Sequence, residues 1–325
     1  MAGELWRGAV QIGKETVYGT PVAATRIMYC RDPRLTRERD VRVHKFMTST
    51  RETTRNVTLG PTKVSGKLAL PVSAEIIEFL LMGLKGGVTA TGAGADKTWT
   101  FKPDATFDSA TIEWDDGARN WQAAGCYVDQ INIKGSVDGE NICTVDLFGK
   151  AMVQASKTGS LTQRVPAVFD GWESKLYIDD FGAAPGTTAV SGMLIDWDVT
   201  IKNSLGRKYT GDNTLNASAV TMGEVEVDAK ITFEASPAAA LTEYNNWDAA
   251  TKRLVRLEFG NNAAIPSGSL KETVKVDLPG TWTAVDLSGT SENTRVYQFS
   301  LQAIYDPPNA YSVQVIVVTA RTTAW

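Results

Sequence analysis

Residues Gly8 to Glu15 read Gly-Ala-Val-Gln-Ile-Gly-Lys-Glu, which fits the phosphate-binding loop G-x-x-x-x-G-K-[ST] at every position but the last. Such a loop wraps phosphate in backbone N–H groups, aims a helix N-terminus at it and uses the final hydroxyl on Mg²⁺. Glu15 would instead bring a negative charge to the phosphate. Val10 and Ile12 alternate with polar neighbours as in a strand, and Glu-Thr-Val-Tyr-Gly-Thr-Pro after Lys14 is turn sequence. Nucleotide chemistry is therefore not expected here.

Other reactive residue types are sparse. The single histidine, His44, sits in a charged segment without a G-x-S-x-G elbow anywhere to supply a nucleophile, and it reads as a polar loop residue. Cys30, Cys126 and Cys143 lack C-x-x-C spacing and read as small buried hydrophobes in a reducing compartment. A zinc site is not expected. The paired acids Asp115-Asp116 and Asp179-Asp180 lie near glycine and read as turns. The nine tryptophans, among them Trp114, Trp121 and Trp282, leave open a carbohydrate-binding module or glycosidase, although core or interface packing explains them as well. No catalytic, cofactor or metal residues are assigned.

One stretch is chemically distinct. Arg31 to Arg55 holds eight Lys or Arg against four acids, a net +4 in a chain of net −4. It could be a solvated loop, a nucleic-acid contact or an arm reaching an acidic neighbour. The arm is the preferred reading, because opposite-charge patches steer and register subunits, and Arg34, Arg37, Arg39, Arg42 and Lys45 are its expected interface residues.

These residues must be positioned mainly by strands. The chain has 325 residues and is 43% hydrophobic, enough for one large domain or two. No apolar run suffices for a membrane helix, the start lacks a secretion signal, and a soluble protein made in a cytoplasm is expected. Period-two alternation marks strands at Met193–Ile201 and Glu224–Ala235, and further strands at Val64–Leu70, Val128–Lys134, Ile142–Phe148, Val296–Tyr305 and Tyr311–Thr319. The wet faces of the first two carry Asp196, Asp198, Glu224, Glu226, Asp228 and Glu234. Helices are expected over about 73–84, capped by Ser73 and stopped by Gly86-Gly87, and over about 236–253, capped by Ser236 with Pro237 in the first turn.

Residues 60–73 align without gaps to 223–236, bringing Gly60, Val64, Lys67 and Ser73 onto Gly223, Val227, Lys230 and Ser236. Trp6, Ile12 and Gly19-Thr20 fall on Trp172, Ile178 and Gly186-Thr187 at nearly the same offset. Two segments in order at one spacing predict a tandem duplication. Its copies would be residues 1–165, with an arm loop at about 31–58, and 166–325, with the boundary near Gln163–Phe169.

Gln11 to Thr25, Gln-Ile-Gly-Lys-Glu-Thr-Val-Tyr-Gly-Thr-Pro-Val-Ala-Ala-Thr, resembles the N-terminal signature of tail tube (major tail) proteins of long, non-contractile-tailed bacteriophages. Gly171-Trp-Glu-Ser-Lys-Leu-Tyr-Ile178 is similar to them as well. The resemblance implies a mainly β chain of two tail-tube-like sandwich or barrel domains, each with a flanking helix and a long loop. It also implies a structural, non-enzymatic virion protein whose rings stack into a hollow tube for DNA and the tape-measure protein. Other tail proteins would meet the tube's ends. Combined with the duplication, it implies trimeric, pseudo-hexameric rings. A minor tail component of related fold is the structural alternative. Acids on wet strand faces suit a lumen that must not hold DNA, whereas Lys63 and Lys67 on the equivalent strand of the first half depart from a uniformly acidic surface.

Overall fold

The computed structural model describes residues 9–47, 49–84, 89–162 and 166–325. Trp6, Gly8, the Gly86-Gly87 stop and the start of the expected boundary at Gln163 lie outside the described residues. Strands take up 54% and helices 8%, against an ordinary strand share of roughly a quarter, so the chain is mainly β. The first strands are β1 (Ala9–Lys14), β2 (Arg26–Met28), β3 (Arg31–Lys45), β4 (Thr54–Pro71), β5 (Lys97–Phe101), β6 (Ala110–Asp115), β7 (Asn120–Ser136), β8 (Ile142–Gly149) and β9 (Ala151–Gln154). The remainder are β10 (Lys175–Asp180), β11 (Ala189–Val190), β12 (Leu194–Lys202), β13 (Gly206–Lys208), β14 (Ala219–Thr221), β15 (Glu226–Glu234), β16 (Lys252–Ala264), β17 (Lys271–Ser291), β18 (Thr294–Ala303) and β19 (Gln314–Thr319).

The helices α1 (Ile77–Gly83) and α2 (Ala238–Asp248) each follow a strand, β4 and β15 respectively. Ser73 caps as expected, accepting from the Glu75 N–H at 3.2 Å ahead of a 3₁₀ turn that leads into α1. Every residue of α1 is buried, which suits a helix apolar on nearly all sides. The second helix differs from expectation at both ends. Ser236 does not cap it but donates to Glu234 at 2.7 Å. It ends at Asp248 rather than near Arg253, because Ala250 turns left-handed (φ 51°) and the chain leaves as β16.

Long strands bend between two layers. The first part of β7 pairs with β6 and β9, and its last part pairs with β8. Likewise the first part of β17 pairs with β16 and β19, and its last part with β18. The inner layer runs β3–β4–β8–β7–β12–β15–β18–β17, all antiparallel. An outer layer holds β2–β1–β6–β7–β9, and another β11–β10–β16–β17–β19–β5. Between the layers one buried apolar cluster extends from Val10 to Ala324.

The segment expected as an arm loop is ordered instead. β3 and β4 form a long hairpin whose far part pairs Val41 with Leu59 and Val43 with Val57. Alternating β-branched residues favour a pleated ribbon even where both faces are wet.

Candidate functional site

The opening motif acts through its odd residue. Glu15 is buried and accepts four hydrogen bonds: from the Gly19 N–H (2.8 Å), Ser109 Oγ (2.8 Å), Thr111 Oγ1 (2.9 Å) and the Gly125 N–H (2.8 Å). It thereby ties the turn after β1, strand β6 and the corner of β7 to one carboxylate. Gly19 has φ 73°, and an added Cβ would stand 2.4 Å from Lys150 Cδ, so glycine is required. Lys14 is engaged with Asp108 at 2.9 Å. This is a structural knot, not a phosphate cradle.

A second carboxylate does the same work later in the chain. Asp179 accepts from the N–H groups of Gly186 (2.7 Å), Thr187 (3.2 Å) and Thr188 (2.8 Å) and from Thr187 Oγ1 (2.5 Å). Burial alone would raise its pKa, but these hydrogen bonds to the charged form outweigh it and hold the carboxyl below the usual value. Gly186, like Gly19, is left-handed (φ 84°). Of the paired acids only Asp116 lies outside a strand, since Asp115 ends β6 and Asp179-Asp180 end β10. Asp115 and Asp116 nevertheless hold a turn as Asp179 does: Asp115 accepts from the Gly117 N–H and Asp116 from the Ala118 and Arg119 N–H groups. Trp282 is buried and donates to Glu243 at 2.8 Å, and Trp121 donates to Asp116 at 2.9 Å.

The expected acids mostly share one face of the inner layer. Asp196 and Asp198 on β12 and Glu226, Asp228 and Glu234 on β15 alternate with buried Trp197, Val199, Val227, Ala229, Ile231 and Phe233. Glu224 precedes β15 and stands outside the strand, so it is not part of that row. Lysines interleave the acids. Lys202 pairs with Glu226 at 3.6 Å, Lys230 and Lys134 stand opposite Asp198 from either side, and Lys67 reaches Asp146 at 3.9 Å.

The five basic arm residues divide. Arg34 and Arg37 occupy the part of β3 that belongs to the inner layer, paired with Lys67 and Val64. Arg39, Arg42 and Lys45 sit on the projecting hairpin, where Arg42 contacts Asp40 at 3.0 Å. Sequence reasoning missed the exposed apolar side chains between them. The corresponding polar stretch in the second half folds back instead of projecting. Its β13–β14 ribbon sets Tyr209 OH on the Thr62 carbonyl (2.9 Å), Leu215 O on the Thr62 N–H (2.8 Å) and the Arg207 guanidinium over the Phe148 ring (3.9 Å).

The inner layer's two outer edges are open: among the described residues nothing pairs with the far side of β3 or of the last part of β17. An exposed edge is a template for pairing with another chain.

A profile of phage tail tube proteins matches residues 6–294. The chain belongs to the phage tail tube protein family. The match covers most of the chain, including the knot around Glu15 and both open edges. No curated protein matches it in sequence. The tail tube protein is thus a structural, non-enzymatic component of the virion tail that self-assembles into a tube with other tail proteins. No described helix is long and apolar enough to cross a membrane.

Proposed function

We propose that three copies of the chain close into a pseudo-hexameric ring, and that stacked rings form the hollow tube of a long, non-contractile tail through which DNA is ejected. Residues 1–165 and 166–325 are read as two tube domains. The observation that carries this is the repeated pairing pattern. In the first half β1 pairs with β2 and β6, β7 with β6, β8 and β9, and β4 with β3 and β8. In the second half β10 pairs with β11 and β16, β17 with β16, β18 and β19, and β15 with β12 and β18. Even the strand irregularities correspond, between Val128 and Gln130 and between Trp282 and Ala284.

The halves are joined through β7 and β12, with Asn132 opposite Thr200 and Ile131 opposite Ile201. Carrying that junction over by the repeat places β17 against β3 of a neighbouring copy, with Asp286 opposite Thr36 and Val285 opposite Arg37. Arg34 then lies diagonally beside Asp286 and supplies opposite charge. Such an interface is head-to-tail and closes into a ring, which removes both open edges. The wet face with Asp196, Asp198, Glu226, Asp228 and Glu234 would line the lumen, where DNA and the tape-measure protein pass without specific binding.

Facing residues on antiparallel strands bring Cα atoms to about 4.5–5.5 Å, within disulfide reach. Oxidised Thr36→Cys/Asp286→Cys protein is therefore expected to give covalent species ending at a closed trimer on non-reducing gels. A ladder running past three chains, or no cross-link in protein that forms rings by electron microscopy, would remove this register. Strictly monomeric protein at high concentration would remove the ring itself.

A further inference from the structure

The outer layer of β10, β16 and β17 carries a cleft of about 290 Å³ whose lining includes Trp172, Lys175, Glu258, Leu270, Lys271 and Lys275. Lys175, Glu258 and Lys275 alternate with buried Leu176, Leu257, Val274 and Val276, so they stand on the solvent face of that layer. Strand register sets Glu258 between the two lysines, opposite Lys175 of β10 and Lys275 of β17. Their ammonium groups meet its carboxylate oxygens at 3.4 and 3.2 Å. One carboxylate is thus shared by two cations that each carry three N–H donors. With Lys271 and Glu173 the lining holds three positive charges against two negative ones.

Trp172 is 64% exposed, yet its backbone is fixed. It lies in a 3₁₀ turn, Gly171–Glu173, closed by the Ser174 N–H on the Gly171 carbonyl at 3.0 Å. The Gly171 N–H donates to the Gly139 carbonyl at 2.9 Å, and a Cβ on Gly171 would stand 1.7 Å from the Ser136 carbonyl oxygen. The turn is therefore seated on the hairpin after β7, and little backbone ordering cost remains when a ligand meets the indole. Trp114, Trp121 and Trp282 pack within or against the core, so the carbohydrate-binding surface that the chain's tryptophans left open is not theirs.

The first half shows that the fold does not require this cleft. By register Ala9, Asp115 and Asn120 take the places of Lys175, Glu258 and Lys275. Both lysines are missing there, and the chain roofs its own face. Lys157 reaches Asp115 at 2.6 Å, and Thr158 donates to Glu113 through its N–H (2.6 Å) and its Oγ1 (2.9 Å). In the second half the chain after β19 runs to α1 instead, where Arg321 donates to the Ala74 carbonyl.

We propose that the cleft beside Trp172 binds an acidic saccharide, one uronate unit of an anionic polysaccharide, on the outside of the assembled tail. A sugar ring has an apolar C–H face that stacks on the electron-rich face of an indole. Its carboxylate would take ammonium donors beyond those that Glu258 uses. The volume lies at the lower end of small-molecule sites, which suits a single ring. Glu173 and Glu258 oppose a nucleic-acid backbone, in which every unit is charged. Only the outward placement rests on the ring reading above; the site itself does not.

The probe is a galacturonate oligomer added to dilute full-length chain, with binding read from the oligomer's own NMR signals by saturation transfer. Trp172→Ala and Lys175→Gln change exposed side chains and are expected to leave the thermal unfolding curve unaltered. Each is expected to weaken binding by roughly tenfold or more. The methyl-esterified oligomer keeps the ring without the charge, and polyglutamate keeps the charge without the ring; both are expected to bind more weakly by a similar factor. No saturation transfer at millimolar oligomer, undiminished binding by either variant, or equal affinity for polyglutamate overturns the site. Assembled tubes are expected to bind the oligomer as the free chain does. Binding by the free chain alone would show that a neighbouring copy covers the cleft, which overturns the outward placement.

Discussion

At the scale of single residues, two carboxylates hold the turns after β1 and β10, and each can be tested by pH and substitution. Glu15→Ala would leave the N–H groups of Gly19 and Gly125 and the hydroxyls of Ser109 and Thr111 without their acceptor. Each buried unsatisfied group costs about 1–3 kcal/mol, so a loss of about 3 kcal/mol or more is expected from urea unfolding. Asp179 adds a pH signature, since its pKa is held low in the folded protein. A depressed carboxylate stabilises the fold fully above its unfolded pKa of about 4 and loses that contribution as pH falls through the lower folded value. Asp179→Asn is therefore expected to be clearly less stable than the parent at pH 7, with the gap narrowing steadily below about pH 4. A gap that stays constant down to strong acid would show that the ionised carboxylate is not what holds the turn. The motif near the N-terminus was legible as a family signature because Glu15 and Gly19 each have an irreplaceable steric or hydrogen-bonding task. Asp179 was read as a turn residue, but the structure places it in β10, opposite Leu254 of β16, and only its side chain reaches the turn, whose N–H donors are assembled by folding.

At the scale of elements, strands with one wet face were readable and those with two wet or two mixed faces were not. Met193–Ile201 and Glu224–Ala235 foretold β12 and β15 because burial on one side enforces alternation. The part of the β3–β4 hairpin that projects beyond the layer was expected as a loop because neither of its faces packs on the core. Lys252 and Arg253, the first residues of β16, were taken for the end of the second helix, because the left-handed turn at Ala250 falls on a residue type that ordinarily continues a helix. The buried charge on α1 was not foreseen at all: Glu78 is fully buried, and its partners are Arg321 near the far end of the chain and Arg26 at 3.3 Å. Arg321 also donates to the Ala74 and Ala324 carbonyls at 2.8 Å, fastening the last residues of the second half to the helix of the first. Burial pushes the Glu78 pKa upward, with Arg321 and Arg26 opposing it. Removing one partner of a buried pair strands the other charge, at a cost of about 3–5 kcal/mol. Arg321→Met is expected to lose stability on that scale in urea titrations, and adding Glu78→Leu is expected to restore much of it. If the double variant proves as unstable as the single one, the packing of the arginine stem, not the stranded carboxylate, dominates.

At the scale of the whole molecule, the proposed ring turns a mixed-charge sheet face into the wall of a channel. Lys67, Lys134, Lys202 and Lys230 lie among the acids, so repulsion of DNA depends on the surplus of carboxylates rather than on an absence of cations. Exchanging Asp198, Glu226 and Asp228 for lysine reverses that surplus on β12 and β15 while keeping alternation intact, and Glu226 and Asp228 are exposed, so the strands should still form. Lysines facing phosphate release counterions on binding, and the affinity gained falls with salt by a log–log slope of about −0.9 per neutralised phosphate. Purified tubes of the triple variant are therefore expected to retain short duplex DNA in low salt and release it in high salt, whereas parent tubes retain little at either. Virions assembled with the variant are expected to eject their genomes more slowly, with the delay relieved by added salt. Equal DNA retention by parent and variant tubes would mean that this face does not line the channel. The acids would then be solvated outer-surface residues, and the β17-to-β3 junction would have to be rebuilt with the opposite face inward.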